Sequence, residues 1–110
     1  MLNLRLYMAQ RLSAMVMAPL VLGHIAVMVY AIQGGLSTAE ILGRTQGSIL
    51  WFLFYGSFVA AVSIHAAIGL RVILHETTGL RGAGLEAFTY GTGIVLLIMG
   101  ARALLAVTLL

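Results

Sequence analysis

The chain lacks the charged and polar residues that a water-soluble protein needs on its surface. Only 8% of its 110 residues are charged, while 62% are hydrophobic, and cysteine and lysine are absent. A soluble domain is usually about a quarter charged, so this composition excludes a soluble enzyme and a disordered tail. The lack of cysteine excludes a disulfide-stapled domain, thiolate-bound zinc and iron–sulfur clusters within the chain.

Three long apolar blocks occupy most of the sequence, at residues 12–32, 49–74 and 87–110. About 20 apolar residues cross the roughly 30 Å hydrocarbon core of a bilayer as a helix. We therefore predict an all-α membrane protein, with one membrane-anchor domain over 1–110 and three transmembrane helices that form part of a multi-subunit bundle. The arginines are scattered between the blocks rather than gathered in a basic patch, which excludes nucleic-acid binding despite a pI near 10.

The connection after the first block carries local helix signals. Glycines in the segment 33–35 predict the end of the first span. The capping-box spacing of Ser37 and Glu40 then predicts a short interfacial helix over 38–43. We also expect Glu40 and Arg44 to form a solvated ion pair, because they lie four residues apart.

The arginines between the spans predict the orientation in the membrane. The N-terminal tail and a compact turn predicted over 75–85 share one side, while the connection after the first span lies on the other. The first side has the larger set of flanking arginines, which are Arg5, Arg11, Arg71 and Arg81, against Arg44 and Arg102. The excess predicts a cytoplasmic N-terminus and a multi-pass protein of the bacterial inner membrane.

His65 is the most informative ionisable residue inside a predicted span. A neutral imidazole at that depth needs a hydrogen-bond acceptor, a metal or a haem iron. Ala61 and Gly69 lie one turn away on the same face and leave space for a flat macrocycle, and Arg71 lies about 9 Å further along the helix. Two interpretations stay open: a haem ligand with Arg71 at a propionate, or a histidine hydrogen-bonded to a neighbouring helix.

Segment 65–71 reads His-Ala-Ala-Ile-Gly-Leu-Arg and is followed by Glu76. It resembles the His-x-x-x-Gly-x-Arg signature of the cytochrome b membrane-anchor subunits of succinate dehydrogenase and fumarate reductase. Arg11 and Ser13, at the start of the first span, are similar to the Arg-x-Ser element of that family. The chain departs from the family pattern at Gln10, where histidine is frequent, and at Glu76, where aspartate is typical.

The resemblance implies a b-type haem with His65 as an axial ligand and with Arg71 and His75 beside the propionates. It also implies a site for ubiquinone or menaquinone near Arg11 and Ser13. The chain would then be a non-catalytic subunit of succinate dehydrogenase, taking electrons from a flavoprotein subunit through an iron–sulfur subunit to quinone. With few histidines at membrane depth, it would need a second small anchor subunit.

His24 is a second histidine at membrane depth, and its role is open. It lies about 20 Å from Arg11 along an ideal helix, which puts it roughly 10 Å deeper than His65 if the arginines mark one interface. It is then either an axial ligand of a second haem or a buried hydrogen-bonding residue in a helix kinked at Pro19 and Gly23.

Two other functions are compatible with the same pattern. The chain would be the haem subunit of another quinone-linked oxidoreductase, such as a hydrogenase, a formate dehydrogenase or a nitrate reductase. Alternatively, it would be a haem-free subunit that only tethers or assembles a complex, with both membrane histidines in packing roles.

Overall fold

The computed structural model describes residues 3–109 as an assembly of four α-helices. They are α1 (Leu4–Gly34), α2 (Thr38–Thr45), α3 (Ile49–Thr78) and α4 (Ala83–Thr108). The three long helices are apolar and long enough to cross a membrane, by length and composition. The prediction of an all-α protein with three transmembrane helices is confirmed.

Helix α1 is longer than its apolar block. The side chain of Asn3 accepts a hydrogen bond from the Leu6 amide at the start, and Gly35 follows the end with φ +116°. A helix of 31 residues is about 46 Å long, which exceeds the roughly 30 Å of hydrocarbon. The helix therefore extends beyond the apolar layer or tilts within it, and it continues through Pro19 without ending.

Helix α3 is the central element of the bundle, because α1 and α4 both pack against it. It also carries the largest set of buried residues in the described chain, which are Ala61, Ser63, Ala67, Ile68 and Arg71. Most large apolar side chains of α1 and α4 point outward and are exposed. In a membrane these outer faces meet lipid or partner helices.

Small residues allow α3 and α4 to approach closely. A Cβ added at Gly100 would lie 2.5 Å from Cγ1 of Val59, and one added at Gly93 would lie 3.5 Å from Cβ of Ala67. Association of membrane helices depends on such close packing, since lipid tails are as apolar as the helices themselves.

The short helix α2 closes one end of the bundle. The Thr45 hydroxyl donates to the Val107 carbonyl at 2.7 Å, and the Gly47 amide donates to the Thr108 carbonyl at 2.7 Å. Both carbonyls belong to the last turn of α4, where no intrahelical donor remains. These bonds fix α2 on the C-terminal end of α4.

The capping box of α2 forms, but the predicted Glu40–Arg44 ion pair does not form within residues 3–109. The Ser37 hydroxyl accepts from the Glu40 amide and donates to the Glu40 carboxylate at 2.6 Å. Arg44 instead donates to the Gly35 carbonyl at 2.9 Å and lies 5.8 Å from the Tyr30 ring. The carboxylate is thus bound at the helix start, while Arg44 satisfies the end of α1.

The predicted bounds of the turn, 75–85, are wrong at both ends. Helix α3 continues to Thr78 and α4 begins at Ala83, so only residues 79–82 connect them. The Thr78 hydroxyl donates to the Leu74 carbonyl at 2.7 Å and thereby joins the helix. Gly79, with φ +74°, then ends α3 in the left-handed conformation.

Candidate functional site

The predicted haem ligand His65 lies where α3 packs against α1. Its Nδ1 is 3.4 Å from the Ser13 hydroxyl oxygen, and Ser13 is buried. The same hydroxyl donates to the Gln10 carbonyl, one turn earlier in α1, at 3.0 Å. The structure therefore brings together His65, predicted for haem, and Ser13, predicted for quinone.

Gln10 is part of this site, although the sequence singled it out only as a departure from a family pattern. Its Nε2 lies 3.7 Å from where a Cβ on Gly69 would be. Its Oε1 is buried and has no hydrogen-bond partner in the described part of the chain. The Gln10 side chain therefore borders the space that Gly69 leaves beside His65, and its amide oxygen accepts no hydrogen bond from the described residues.

Arg71 lies on the α4 side of α3 and is buried. Its guanidinium donates to a Glu86 carboxylate oxygen at 2.6 Å and to the Thr89 hydroxyl at 3.0 Å. The sequence reasoning missed both partners. The signal was present, because a guanidinium at membrane depth needs an acidic partner and the chain has only three acidic residues. The contact of Arg71 with a haem propionate stays a prediction.

His75, the other predicted propionate contact, lies in the last turn of α3. Its Nδ1 donates to the Leu80 carbonyl at 2.8 Å across the connection to α4. Along the axis it is about 15 Å from His65, whereas Arg71 is about 9 Å away. Its role at a propionate also stays a prediction.

Arg11 and Ser13 were predicted to share a quinone site, but they point to different faces of α1. Residues two apart on an α-helix are rotated by about 200°. Ser13 is buried toward α3, whereas Arg11 is exposed, with its guanidinium carbon 6.0 Å from the centre of the Tyr7 ring. The structure does not bring the two predicted quinone residues together.

His24 packs among aromatic side chains of α3. Its ring centre lies 5.3 Å from that of Phe58 and 6.2 Å from that of Tyr55, both in edge-to-face geometry. Ser13 contacts His65, so the two residues lie at the same depth. His24 lies about 16 Å from Ser13 along the axis of α1. The two membrane histidines are therefore at separate depths, and one porphyrin does not reach both.

The donor set at His65 fits a haem better than a bare metal ion. No group of three or more His, Asp or Glu side chains lies together within residues 3–109. A haem carries its own four nitrogen ligands and needs only axial ligands from the protein. A single imidazole with Nδ1 held by a neighbour meets that need on one face of the ring.

The bundle and the histidine site define a class of protein, a three-span helical membrane subunit with an imidazole at membrane depth. The chain matches the family model of the succinate dehydrogenase/fumarate reductase transmembrane subunit over residues 2–107. It therefore belongs to this family of membrane subunits. No curated protein and no solved structure matches it significantly.

Proposed function

We propose that this chain is the haem b-containing membrane-anchor subunit of a succinate:quinone oxidoreductase. In this role it anchors the flavoprotein and iron–sulfur subunits and passes their electrons to quinone. One observation carries the proposal: His65 lies inside the central helix of a chain of this family, with its Nδ1 beside the Ser13 hydroxyl. Its Nε2 makes no hydrogen bond within residues 3–109, so this nitrogen would be the one that binds iron.

The proposed role of the chain's residues is to bind and position the haem, which supplies one-electron transfer when bound. His65 is the axial ligand on one face. His24 and His75 are each about 15 Å away along the helices, so we assign the opposite ligand to a second small anchor subunit. Two axial histidines leave iron no open position, which suits electron transfer rather than oxygen or substrate chemistry.

Arg71 and His75 are the proposed hydrogen-bond donors to the haem propionates. Both follow His65 toward the same end of α3. The Arg71 guanidinium would bind both Glu86 on α4 and a propionate. The packing of α3 against α4 would then be coupled to haem binding.

The proposed quinone site lies on the exposed side of Arg11, where Tyr7 offers a second polar group. A quinone, ubiquinone or menaquinone, is apolar except for its carbonyls, which accept bonds from such donors. Arg11 points away from the face that Ser13 buries, so the second anchor subunit and the iron–sulfur subunit would form the remaining walls. Ser13 lies on the opposite face of α1, beside His65, and is therefore not a wall of this site.

The arginine distribution supports an N-terminus in the cytoplasm of a bacterial cell. The end of the bundle that carries α2 has Arg44 and, on the last helix, Arg102. The opposite end has the larger set, which is Arg5, Arg11, Arg71 and Arg81. Positively charged flanks stay on the cytoplasmic side, where the soluble subunits would dock.

Purification of the complex through a tag on this chain tests the proposal. We expect a flavoprotein and an iron–sulfur protein to copurify, and a reduced-minus-oxidised absorption spectrum with a b-type α band. Copurification without the band, with haem supplied during expression, would identify a haem-free anchor. Copurification of a different catalytic subunit would identify another quinone-linked oxidoreductase.

A further inference from the structure

The geometry points to Ser13 as the positioning residue that fixes the tautomer of the haem-ligating His65. This inference rests on the proposed haem function and adds a specific role for a side chain of α1. It predicts that Ser13 tunes the haem rather than the quinone.

The Ser13 hydroxyl donates to the Gln10 carbonyl at 3.0 Å, the shorter of its two contacts. This bond leaves the lone pairs of the hydroxyl to accept from His65. At 3.4 Å from Nδ1, a weak hydrogen bond forms only if His65 carries its proton on Nδ1. In a neutral imidazole that tautomer leaves the lone pair on Nε2.

This arrangement has the form that second-sphere partners take at haem and metal sites. The nitrogen that does not bind the metal donates to a fixed acceptor, which orients the ring and makes the ligating nitrogen more basic. Ser13 is 6% exposed, so water does not compete for the bond. The chain thus has a buried acceptor that selects the ligating nitrogen of His65.

A second serine provides a matched control. Ser63, two residues before His65 on α3, is 5% exposed and donates to the Val59 carbonyl at 2.7 Å. It is therefore a buried serine bonded to its own helix, as Ser13 is. Its hydroxyl makes no hydrogen bond to His65, so its removal tests the cost of deleting a buried hydroxyl by itself.

The test compares the purified complex carrying Ser13→Ala, Ser13→Cys, Ser13→Thr or Ser63→Ala. Haem-to-flavin ratio, haem midpoint potential and the low-spin electron paramagnetic resonance spectrum are measured. Alanine and cysteine remove or weaken the acceptor, and we expect an upward shift in potential because the ligand donates less charge to ferric iron. Haem binding should weaken about 10- to 100-fold, as for other second-sphere losses. Threonine keeps the hydroxyl and should resemble the wild type, as should Ser63→Ala.

Wild-type potential and haem retention in either Ser13→Ala or Ser13→Cys would overturn the inference, and the two variants guard against one failing to assemble. Equal shifts in Ser63→Ala would also overturn it, because they would report general packing. A wild-type complex without haem would instead overturn the proposed function, and this inference with it. A quinone KM that changes at constant haem potential would assign Ser13 to the quinone site.

Discussion

At the scale of single residues, a short ion pair joins α3 to α4. Arg71 is buried, and its ion pair with Glu86 at 2.6 Å compensates a guanidinium at membrane depth. Removing one partner of a buried pair weakens the compensation of the other charge. The stability of the α3–α4 packing therefore depends on Glu86.

Glu86→Gln tests this dependence. The Glu86 side chain is 48% exposed, so we expect a modest loss of about 1–2 kcal/mol in the free energy of unfolding. The measurement is thermal unfolding of the purified complex in detergent. Glu76→Gln is the control, because Glu76 is exposed and should change stability by no more than about 0.5 kcal/mol. Equal effects of both variants would refute the role of the ion pair.

His65 was predictable from the sequence, but its partners were not. The sequence alone shows an imidazole inside an apolar block, and it also shows the arginine that follows. The contact with Ser13 depends on how α1 is rotated and shifted against α3, which no local pattern determines. Arg11 and Ser13 look like one motif in sequence, but residues two apart on a helix lie on different faces, which helix geometry alone predicts.

At the scale of helices, close contact between α3 and α4 depends on glycine at position 100. A Cβ added there would lie 2.5 Å from Cγ1 of Val59, which is too close for two carbon atoms. Gly91, on the same helix, has no neighbouring atom within 4 Å of a Cβ added to it. Both glycines lie in α4, but Gly100 packs closely against α3 and Gly91 does not.

Gly100→Ala and Gly91→Ala form a matched pair. Alanine favours a helix over glycine by about 1 kcal/mol, so Gly91→Ala should keep or slightly raise the melting temperature of the complex. In Gly100→Ala overpacking should outweigh that gain and cost about 1–3 kcal/mol. A melting temperature for Gly100→Ala at or above that of Gly91→Ala would contradict the packing described here.

The existence of the helices follows from apolar length and capping residues, whereas their ends do not. Ser37 and Glu40 predicted α2 because a capping box is a local motif. The end of α3 was misjudged because the threonine at 78 is typical of turns, yet its hydroxyl bonds to its own helix. Arg44 was misjudged because its acceptor, the Gly35 carbonyl, belongs to the end of another helix.

At the scale of the whole molecule, the chain's orientation is the prediction that decides where its partners dock. The chain has no cysteine, so single introduced thiols report topology without background. Leu36, between α1 and α2, is 58% exposed, and Leu80, between α3 and α4, is 39% exposed. Both residues are leucines, and they lie at opposite ends of the bundle.

We expect a membrane-impermeant maleimide to label Leu36→Cys from the periplasmic side of cells with a permeabilised outer membrane. Leu80→Cys should be labelled only in inverted inner-membrane vesicles, because its end carries most of the arginines. Labelling in the reverse pattern would place the N-terminus outside the cytoplasm and would contradict docking of the soluble subunits at the Arg11 end.

The proposed binding of haem by His65 is tested by the haem content of histidine variants of the complex. The haem-to-flavin ratio is measured from the reduced-minus-oxidised spectrum of the purified complex, for wild type, His65→Ala and His24→Ala. His24 packs against Phe58 and Tyr55 at a separate depth, so its variant should keep the haem that His65 holds. A ratio that falls without vanishing in His24→Ala would assign a second haem to His24. In His65→Ala we expect loss of the b-type band of the haem that His65 holds, with the complex still assembled. An unchanged band in that variant would show that His65 is not a haem ligand.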